Sequence, residues 1–393
     1  MFTLFSKRTK YRFFYLCYLF FRFCPVRKKL VLFESLRDCS DNSWAMYLWL
    51  KEHRPNYELV WLCHSAETLK RQRTEGKTRF LLHDFHFESW ADSRAVAQAG
   101  TIFLTHGINS KIRRRKGQNI VNLWHGIALK APKSGKAQNQ MDFNIVLSLS
   151  EENKHNQAVF IGCDEALVKP LGYPRNDLLL KNKGWGKDNL FAPKGWQGKV
   201  VVWMPTFRGS VVQQISEAAC DTDTGLPLLT TPESIVHFNA FLAKAQIYMI
   251  VKIHPLQTGK EVFKQTFSHL LFLTDSMLVA KGVQVYEMLG RSDALLTDYS
   301  SVFFDYFILD KPIGFILSDM EEYRKSRGEF VMDNPLDVMA GRHIYSAADL
   351  EAFLMDLVAG FDKEADWRRQ MAKHVIAHPD EKSCERIANY CQL

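Results

Sequence analysis

Short apolar runs alternate with helix-compatible stretches along this chain, and most runs close on polar or basic residues. Lys29–Glu34 and Tyr57–Cys63 read as strands, with a helix over Ser43–His53 between them. Apolar runs at 79–82, 95–104, 120–124 and 145–148 continue the series. Residues 181–198 interrupt it with Lys, Asn, Gly and Pro193, and read as a linker. A second series follows. Lys199–Met204 is a strand, a polar loop covers about 209–231, Pro232–Ala245 is a helix, and Ile247–Ile253 is a strand. Leu270–Thr274, Ala294–Thr297 and Pro312–Leu317 are later strands, and residues 347–393 read as amphipathic helices. Strands alternating with helices predict βαβ units and parallel sheets. The fold class is α/β, with two doubly wound, Rossmann-like domains. Such sheets place ligands beyond the carboxyl ends of their strands. The expected organisation is 1–29 as a basic, aromatic segment, 30–180 as a first domain, 181–198 as linker, 199–365 as a second domain, and 366–393 as C-terminal helices.

The richest strand end is Leu295–Phe307. It opens apolar, breaks at Thr297, Asp298, Ser300 and Ser301, and resumes as a helix-like segment holding Asp305. A helix entered through small hydroxyl residues offers unpartnered N–H groups and a positive dipole end to an anion. Four other segments have this look: Asn122–Lys130 (NLWHGIALK), Gly172–Asp177 (GYPRND), Met204–Arg208 (MPTFR) and Val251–Pro255 (VKIHP). An imidazole titrates near neutrality, so His125 suits a general base, and Gly126 lets backbone approach a ligand. His254 is held by Pro255, with Lys252 two residues earlier on the same side of the strand. Arg175 follows a turn proline and suits bidentate phosphate binding, or else it is a solvated loop residue or pairs with Asp177.

In this order the five segments resemble the CDP-glycerol glycerophosphotransferase family of teichoic-acid primases and polymerases. That family's pattern runs roughly W-H-G-T, G-x-P-R-N-D, P-T-x-R, K-x-H-P and T-D-Y-S-S-x-x-x-D. Phe33-Glu-Ser, Asp41-Asn-Ser-Trp-Ala-Met and Glu322–Gly328 extend the resemblance over roughly 30–345. It implies a GT-B-like fold with the active site in the interdomain crevice. The implied reaction is attack of an acceptor hydroxyl on the β-phosphorus of CDP-glycerol or CDP-ribitol, with release of CMP. The acceptor would be a lipid-linked or polymeric teichoic-acid or capsule chain.

On this resemblance His125 is the base and His254 stabilises phosphate charge. Trp124, Gly126, Ile127, Ala128, Arg175, Lys252 and Ile253 join the donor site. Pro205 and Thr206 form a nucleotide-contacting turn, with Arg208 as a further phosphate candidate. Ser300, Ser301 and Val302 supply the helix N-terminus. Asp305 bonds ribose hydroxyls or holds a basic partner. Tyr323, Arg324 and Arg327 close the site, although the Gly-Pro that follows in the family is absent. Ile127 and Ala128 replace the family's Thr and Pro, so a hydroxyl contact is missing.

Charge locates a membrane function. The net charge is +8, and residues 1–29 hold eight basic residues and no acid, from Lys7 to Lys29. The rest of the chain is near neutral, which argues against a nucleic-acid binder. The apolar run Phe13–Phe21 is too short to span a bilayer, which needs about 20 residues. It is expected to lie on an anionic leaflet at the cytoplasmic face, as a peripheral contact, or else to dock on the core by its aromatic side. Lys111, Arg113, Arg114, Arg115 and Lys116 form a second basic run that steers a polyanionic acceptor or lipid, or is simply solvated. Eight scattered cysteines without a C-x-x-C pair argue against zinc and disulfides. No carboxylate cage is evident, so metal-independent chemistry without a cofactor is expected. The competing readings are a GT-B glycosyltransferase using a nucleotide sugar and a non-catalytic polyanion-binding protein.

Overall fold

The computed structural model describes residues 7–72, 78–83, 89–105, 112–127, 129, 142–183, 190–206, 208, 222–253, 260–327, 330–332 and 334–393. The chain divides into two units. The first holds residues 1–125, 136–177 and 377–393, and the second holds 126–135 and 178–376.

In the first unit, α1 (Lys7–Phe21) leads into β1 (Arg27–Glu34), α2 (Asp41–His53), β2 (Glu58–Cys63), α3 (Ala66–Gln72), β3 (Arg79–Leu82), α4 (Ser89–Gln98) and β4 (Ala99–Leu104). Then come β5 (Asn119–Asn122), β6 (Ile145–Leu147), α5 (Lys154–Ile161), β7 (Val168–Lys169) and α6 (Pro174–Lys181), which straddles the unit boundary. The sheet order is β3-β2-β1-β4-β5-β6-β7, all pairs parallel. The order reverses between β1 and β4, the switch point of a doubly wound sheet.

In the second unit, β8 (Lys199–Trp203), α7 (Pro232–Ala245), β9 (Ile247–Lys252), β10 (Leu270–Leu273), α8 (Asp275–Lys281), α9 (Val285–Gly290) and β11 (Ala294–Thr297) precede α10 (Val302–Tyr306). They are followed by β12 (Ile313–Ile316), α11 (Met320–Arg327), β13 (Arg342–Ile344), α12 (Ala347–Ala359) and α13 (Ala365–Val375). The order β10-β9-β8-β11-β12-β13 is again parallel, and it reverses between β8 and β11.

Both sheets are covered on two faces, which is why their strands read as continuous apolar runs. On β1, Leu30 and Leu32 face one layer, against Phe14, Tyr18 and Phe21 of α1. Phe33 faces the other, stacked on Trp61 and Phe103 with ring centroids 5.7 Å apart in each case. The second core packs Val201, Met249 and Val251 against Ile235 and Leu242 of α7 and Leu354 of α12. α7 begins at a Thr231–Ser234 capping box with Pro232 in its first turn, so the sequence encodes its start.

Three differences from the sequence reading have physical reasons. Ala95–Gln98 is the last turn of α4 rather than strand, because Ala-rich apolar residues suit a buried helix as well as a strand. Residues 366–393 are not one group: α13 belongs to the second unit, whereas 377–393 returns to the first. The return is fixed by polar contacts. The Asp177 carboxylate accepts the N–H groups of Ser383 and Cys384, at 2.9 Å each, at the start of α14 (Ser383–Tyr390). Ala377 N–H reaches the Leu149 carbonyl at 2.8 Å, and Asn119 Nδ2 the Cys391 carbonyl at 3.2 Å. Finally, α1 docks by one face: Phe14 and Tyr18 are fully buried, while Phe13, Leu16 and Phe20, and Phe23 just after the helix, remain exposed. Among the described residues no helix is long and apolar enough to cross a membrane.

Asp177→Ala leaves two buried N–H groups at the α14 start without their acceptor. It is expected to cost about 2 kcal/mol. Hydrogen exchange should accelerate across 377–393 before any segment of the second unit. Unchanged protection there would contradict this account of the tail.

Candidate functional site

In the second unit two loops meet at the sheet's switch point. One follows β8 and carries Met204–Arg208, and the other follows β11 and carries Asp298–Ser301. Asp298 is fully buried and joins them. Its carboxylate accepts Thr206 N–H at 2.9 Å, the Thr206 hydroxyl, Tyr299 N–H at 2.6 Å and Arg208 Nη1. Arg208 also grips Asp319, through Nε and through Nη2 at 2.9 Å, and gives Nη1 to the Thr206 carbonyl at 2.9 Å. Burial pulls the Arg208 guanidinium toward neutrality, but the Asp298 and Asp319 charges prevail and hold it above its ordinary value. Burial and the same two acids push the Tyr299 phenol up, so it stays a neutral donor to Asp319 at 3.1 Å. Tyr323 stacks on Tyr299 with centroids 4.0 Å apart, and the Arg324 guanidinium lies 5.8 Å from the Phe330 ring centre.

This geometry corrects several expectations. Arg208 is 1 % exposed, and its donors already hold two carboxylates and a carbonyl, so it positions the turn rather than binding phosphate. The Thr206 hydroxyl and N–H both point into Asp298, which leaves half-buried Pro205 as the outward part of the turn. Lys252 is buried against Asp275 at the start of α8, 2.7 Å away, and its ammonium is neutralised there. Ile253 and Val302 are buried apolar side chains. Asp305 takes a phenol, Tyr286, at 2.8 Å, a partner the sequence did not suggest. Ser300 and Ser301 stand half-buried at the start of the five-residue helix α10, and Ser301 makes no side-chain cap. His254, Ala128 and Lys111 lie outside the described residues, as does the side chain of Arg327.

In the first unit the corresponding joint is Asn42, fully buried in the first turn of α2. Its Nδ2 donates to the Leu123 and Trp124 carbonyls at 3.2 and 2.9 Å. Its Oδ1 accepts Arg175 N–H at 3.1 Å. Arg175 is 4 % exposed, and its charge partner is Asp41, with Nη1–Oδ1 at 2.8 Å, rather than Asp177 or solvent. Three motifs are thus tied through one amide side chain. The tie sustains local strain: Asp41 and Trp124 adopt φ of +60° and +52°, uncommon outside glycine. Gly126 (φ +135°) allows the chain to leave at once after His125. His125 is half-buried, its ring 4.1 Å from that of buried Trp124 and inclined by 31°. Ile127 is buried. Of the basic run, Arg113 and Arg114 are exposed. Arg115 is not a ligand candidate, because its guanidinium fastens the carbonyls of Ala97 and Cys24 at 2.6 and 2.7 Å.

Sequence reasoning missed Asp319, Asn42 and Asp41 as positioning residues. The last two were legible only as part of a resembling segment, and no charge or spacing signal marked Asp319. It also missed a buried acid–base pair at the ends of β1 and β2. His64 Nε2 lies 2.9 Å from Glu34 Oε1, and Glu34 is 1 % exposed. Among the described residues, no three His, Cys, Asp or Glu side chains gather as a metal site.

Two outcomes follow from this geometry. Arg208→Met strands two buried carboxylates and is expected to destabilise the second unit by about 3–5 kcal/mol. A thermal melt checks this, and a variant that melts like wild type would return Arg208 to the ligand candidates. His64 offers a pH test. Burial draws its pKa down, but the hydrogen bond and charge of Glu34, with Asp38, outweigh this and raise it above the ordinary 6.5. The pair therefore contributes its full stability below 6.5 and loses it as pH rises through the raised value. His64→Gln should flatten that decline in melting temperature, and an unchanged pH slope would count against the pair.

Comparison with known proteins adds the following. A family model described as CDP-glycerol:poly(glycerophosphate) glycerophosphotransferase matches residues 16–392. A teichoic acid ribitol-phosphate primase of Bacillus spizizenii is 25% identical over 93% of this chain and 91% of its own length. A teichoic acid glycerol-phosphate primase of Bacillus subtilis is 30% identical over 62% of this chain and 61% of its own. The chain spans about half the length of a poly(ribitol-phosphate) polymerase that it also matches, 49%. Among solved structures, the wall teichoic acid polymerase TagF superposes with TM-score 0.76 at 19% identity, over 98% of this chain and 93% of the other. That likeness shows the fold, α/β with two Rossmann-like units of the GT-B-like kind.

Proposed function

The chain belongs to the CDP-glycerol:poly(glycerophosphate) glycerophosphotransferase family, and from that premise we propose how its own residues carry out polyol-phosphate transfer. The enzyme takes glycerol phosphate or ribitol phosphate from its CDP-activated form and delivers it to a hydroxyl of a lipid-linked or polymeric teichoic-acid acceptor. His125 accepts the proton of that hydroxyl as the oxygen attacks the β-phosphorus. The bond from the β-phosphorus to the bridging oxygen breaks, and CMP leaves with that oxygen.

The observation that carries this reading is the His125 turn. A half-buried imidazole stands at the end of β5 on a strained tryptophan, followed by a positive-φ glycine, and Asn42 fixes the turn from beneath. A base held this way loses little freedom on meeting a substrate. Arg175 acts on the same turn through Asn42 and Asp41, as a positioning residue. For the donor, Ser300, Ser301 and the backbone of Pro205 are the outward groups at the β8–β11 switch point, where pyrophosphate and nucleotide would lie. His254 stays in the proposal as the charge-stabilising group, on the resemblance alone. The reaction is read as independent of divalent metal.

The acceptor side of the proposal is a membrane surface. The exposed side of α1 carries Phe13, Leu16 and Phe20, with Phe23 in the turn after it and Trp90 of α4 beside Phe20. Arg12, Lys28 and Lys29 are exposed nearby in sequence. Aromatic bulk with a basic rim suits an anionic leaflet, because insertion and charge act together.

The test is CMP release from CDP-glycerol and CDP-ribitol in parallel, with a synthetic lipid-linked acceptor. One donor should be turned over, His125→Ala should lower kcat about 10³-fold, and EDTA should leave the rate unchanged. Wild-type turnover by His125→Ala would remove the base assignment, and loss in EDTA restored by Mg²⁺ would remove metal independence. No CMP from either donor, with tight binding of a nucleotide sugar, would overturn the donor class.

A further inference from the structure

The first unit contains a cleft that the transfer reaction does not use. It encloses about 210 Å³ and is lined by Arg27, Leu30, Arg79, Trp90, Arg94 and Gln98. Arg27 and Arg79 are the first residues of β1 and β3, and Trp90, Arg94 and Gln98 form one stripe of α4, four residues apart. Glu58, the first residue of β2, lies between the two strand arginines and pairs with Arg27 and, at 2.9 Å, with Arg79. Arg94 Nε reaches Gln98 Oε1 at 3.0 Å. Three guanidinium groups against one carboxylate leave the cleft with a net positive charge. Its volume equals that of about 7 liquid waters, room for a phosphate and a small polyol.

The mouth of the cleft has the opposite character. Trp90 is half exposed, and its ring lies 5.5 Å from that of Phe20 and 4.7 Å from that of Phe21. Phe20 is itself exposed, as are Leu16 on the same helix and Phe23 in the turn that follows it. A pocket for an anion therefore opens directly onto an apolar strip. The chemistry that matches both is an amphiphile with a phosphate head.

We propose that this cleft binds the phosphodiester headgroup of an anionic bilayer glycerolipid, with the acyl chains lying along Phe20 and Leu16. The proposal rests on the membrane-surface reading above. The ligand is a bulk lipid and not the acceptor. Arg27 and Glu34 stand at opposite ends of β1, about 23 Å apart at strand rise, and the family motifs follow the carboxyl ends of the strands. The cleft would set which way the first unit faces the bilayer, because it adds a directional arginine contact to non-directional apolar insertion.

The experiment is flotation of the full chain with vesicles of phosphatidylcholine alone and of equal parts phosphatidylcholine and phosphatidylglycerol. Wild type should bind the anionic vesicles. R79Q/R94Q should bind them about tenfold more weakly. K264Q/K363Q removes the same charge from exposed sites of the second unit and should lose less than about twofold. Soluble dihexanoyl phosphatidylglycerol should compete with the vesicles, and inorganic phosphate at the same concentration should not. Arg79 and Arg94 are exposed and Arg27 still holds Glu58, so circular dichroism should be unchanged in R79Q/R94Q. Equal losses in the two double variants would overturn the cleft in favour of diffuse charge. Equal competition by phosphate would overturn the lipid in favour of a free anion. Wild type that floats, loses binding in F20S/F23S and keeps it in R79Q/R94Q would overturn the cleft alone. Wild type that floats with neither vesicle would overturn the cleft together with the membrane reading.

Discussion

The Arg208 guanidinium held between Asp298 and Asp319 is the interaction on which the second unit's ligand-facing loops depend. A buried cation between two buried anions is costly to desolvate and more costly to break, so it fixes geometry more than it adds stability. Asp298 also takes the N–H and hydroxyl of Thr206 and the N–H of Tyr299. Two loops that leave adjacent strands therefore share one acceptor and cannot move separately. The consequence is functional, because ligands of doubly wound sheets bind where such loops part. Among the described residues, Arg208 and Lys252 near that point are paired with buried or adjacent carboxylates, and Ser300, Ser301 and Pro205 are half-buried. Were the proposed pyrophosphate to bind there, these residues would meet it with oriented dipoles more than with net charge.

The first unit reaches the same end with a neutral group. Asn42 has two amide donors and one carbonyl oxygen, and one residue can thereby join two carbonyls of the His125 turn to the Arg175 N–H. The linking group itself is uncharged, and the buried charge beside it, Arg175, is paired with Asp41. Trp124 in the left-handed region is the local cost, about 1–3 kcal/mol, and the Asn42 hydrogen bonds offset it.

Most of the fold was legible because parallel strands are buried on both faces and announce themselves as apolar runs with polar ends. Ala294–Thr297 and Pro232–Ala245 fall where the pattern put them. Helix and strand could not be told apart at Ala95–Gln98, where every residue is buried and none is β-branched except Val96. The return of 377–393 was hidden for another reason: it depends on Asp177, whose partners lie some 200 positions away in the chain. The site was legible by place and not by role. Arg113, Arg114 and Arg115 are identical letters, yet the Arg115 guanidinium is a strut between two carbonyls while Arg113 and Arg114 are exposed. Arg208, Arg175 and Lys252 all read as phosphate ligands, and each has a carboxylate within reach. A sequence shows a charge and not the acid that will neutralise it, so buried cations are over-read as ligands.

The same reasoning applies in reverse to α1. Its sequence is apolar on nearly every side, which a helix docked on one core does not require. Phe14, Tyr18 and Phe21 account for the buried face. Phe13, Leu16 and Phe20, with Phe23 just beyond the helix, are exposed, and Phe20 meets the rings of Phe21 and Trp90. Each aromatic ring moved from water to an apolar medium gains about 1.5–3 kcal/mol, so a water-facing cluster of this size is unfavourable unless something covers it. A single apolar strip gives only reversible attachment, and stable attachment takes a second signal. Under the proposed membrane reading, the arginines at the amino-terminal ends of β1 and β3 would supply one of the right sign, in a cleft that Trp90 also lines. On that proposal the first unit's sheet would divide its roles by strand end, with the family motifs after the carboxyl ends and the lipid contact at the amino ends.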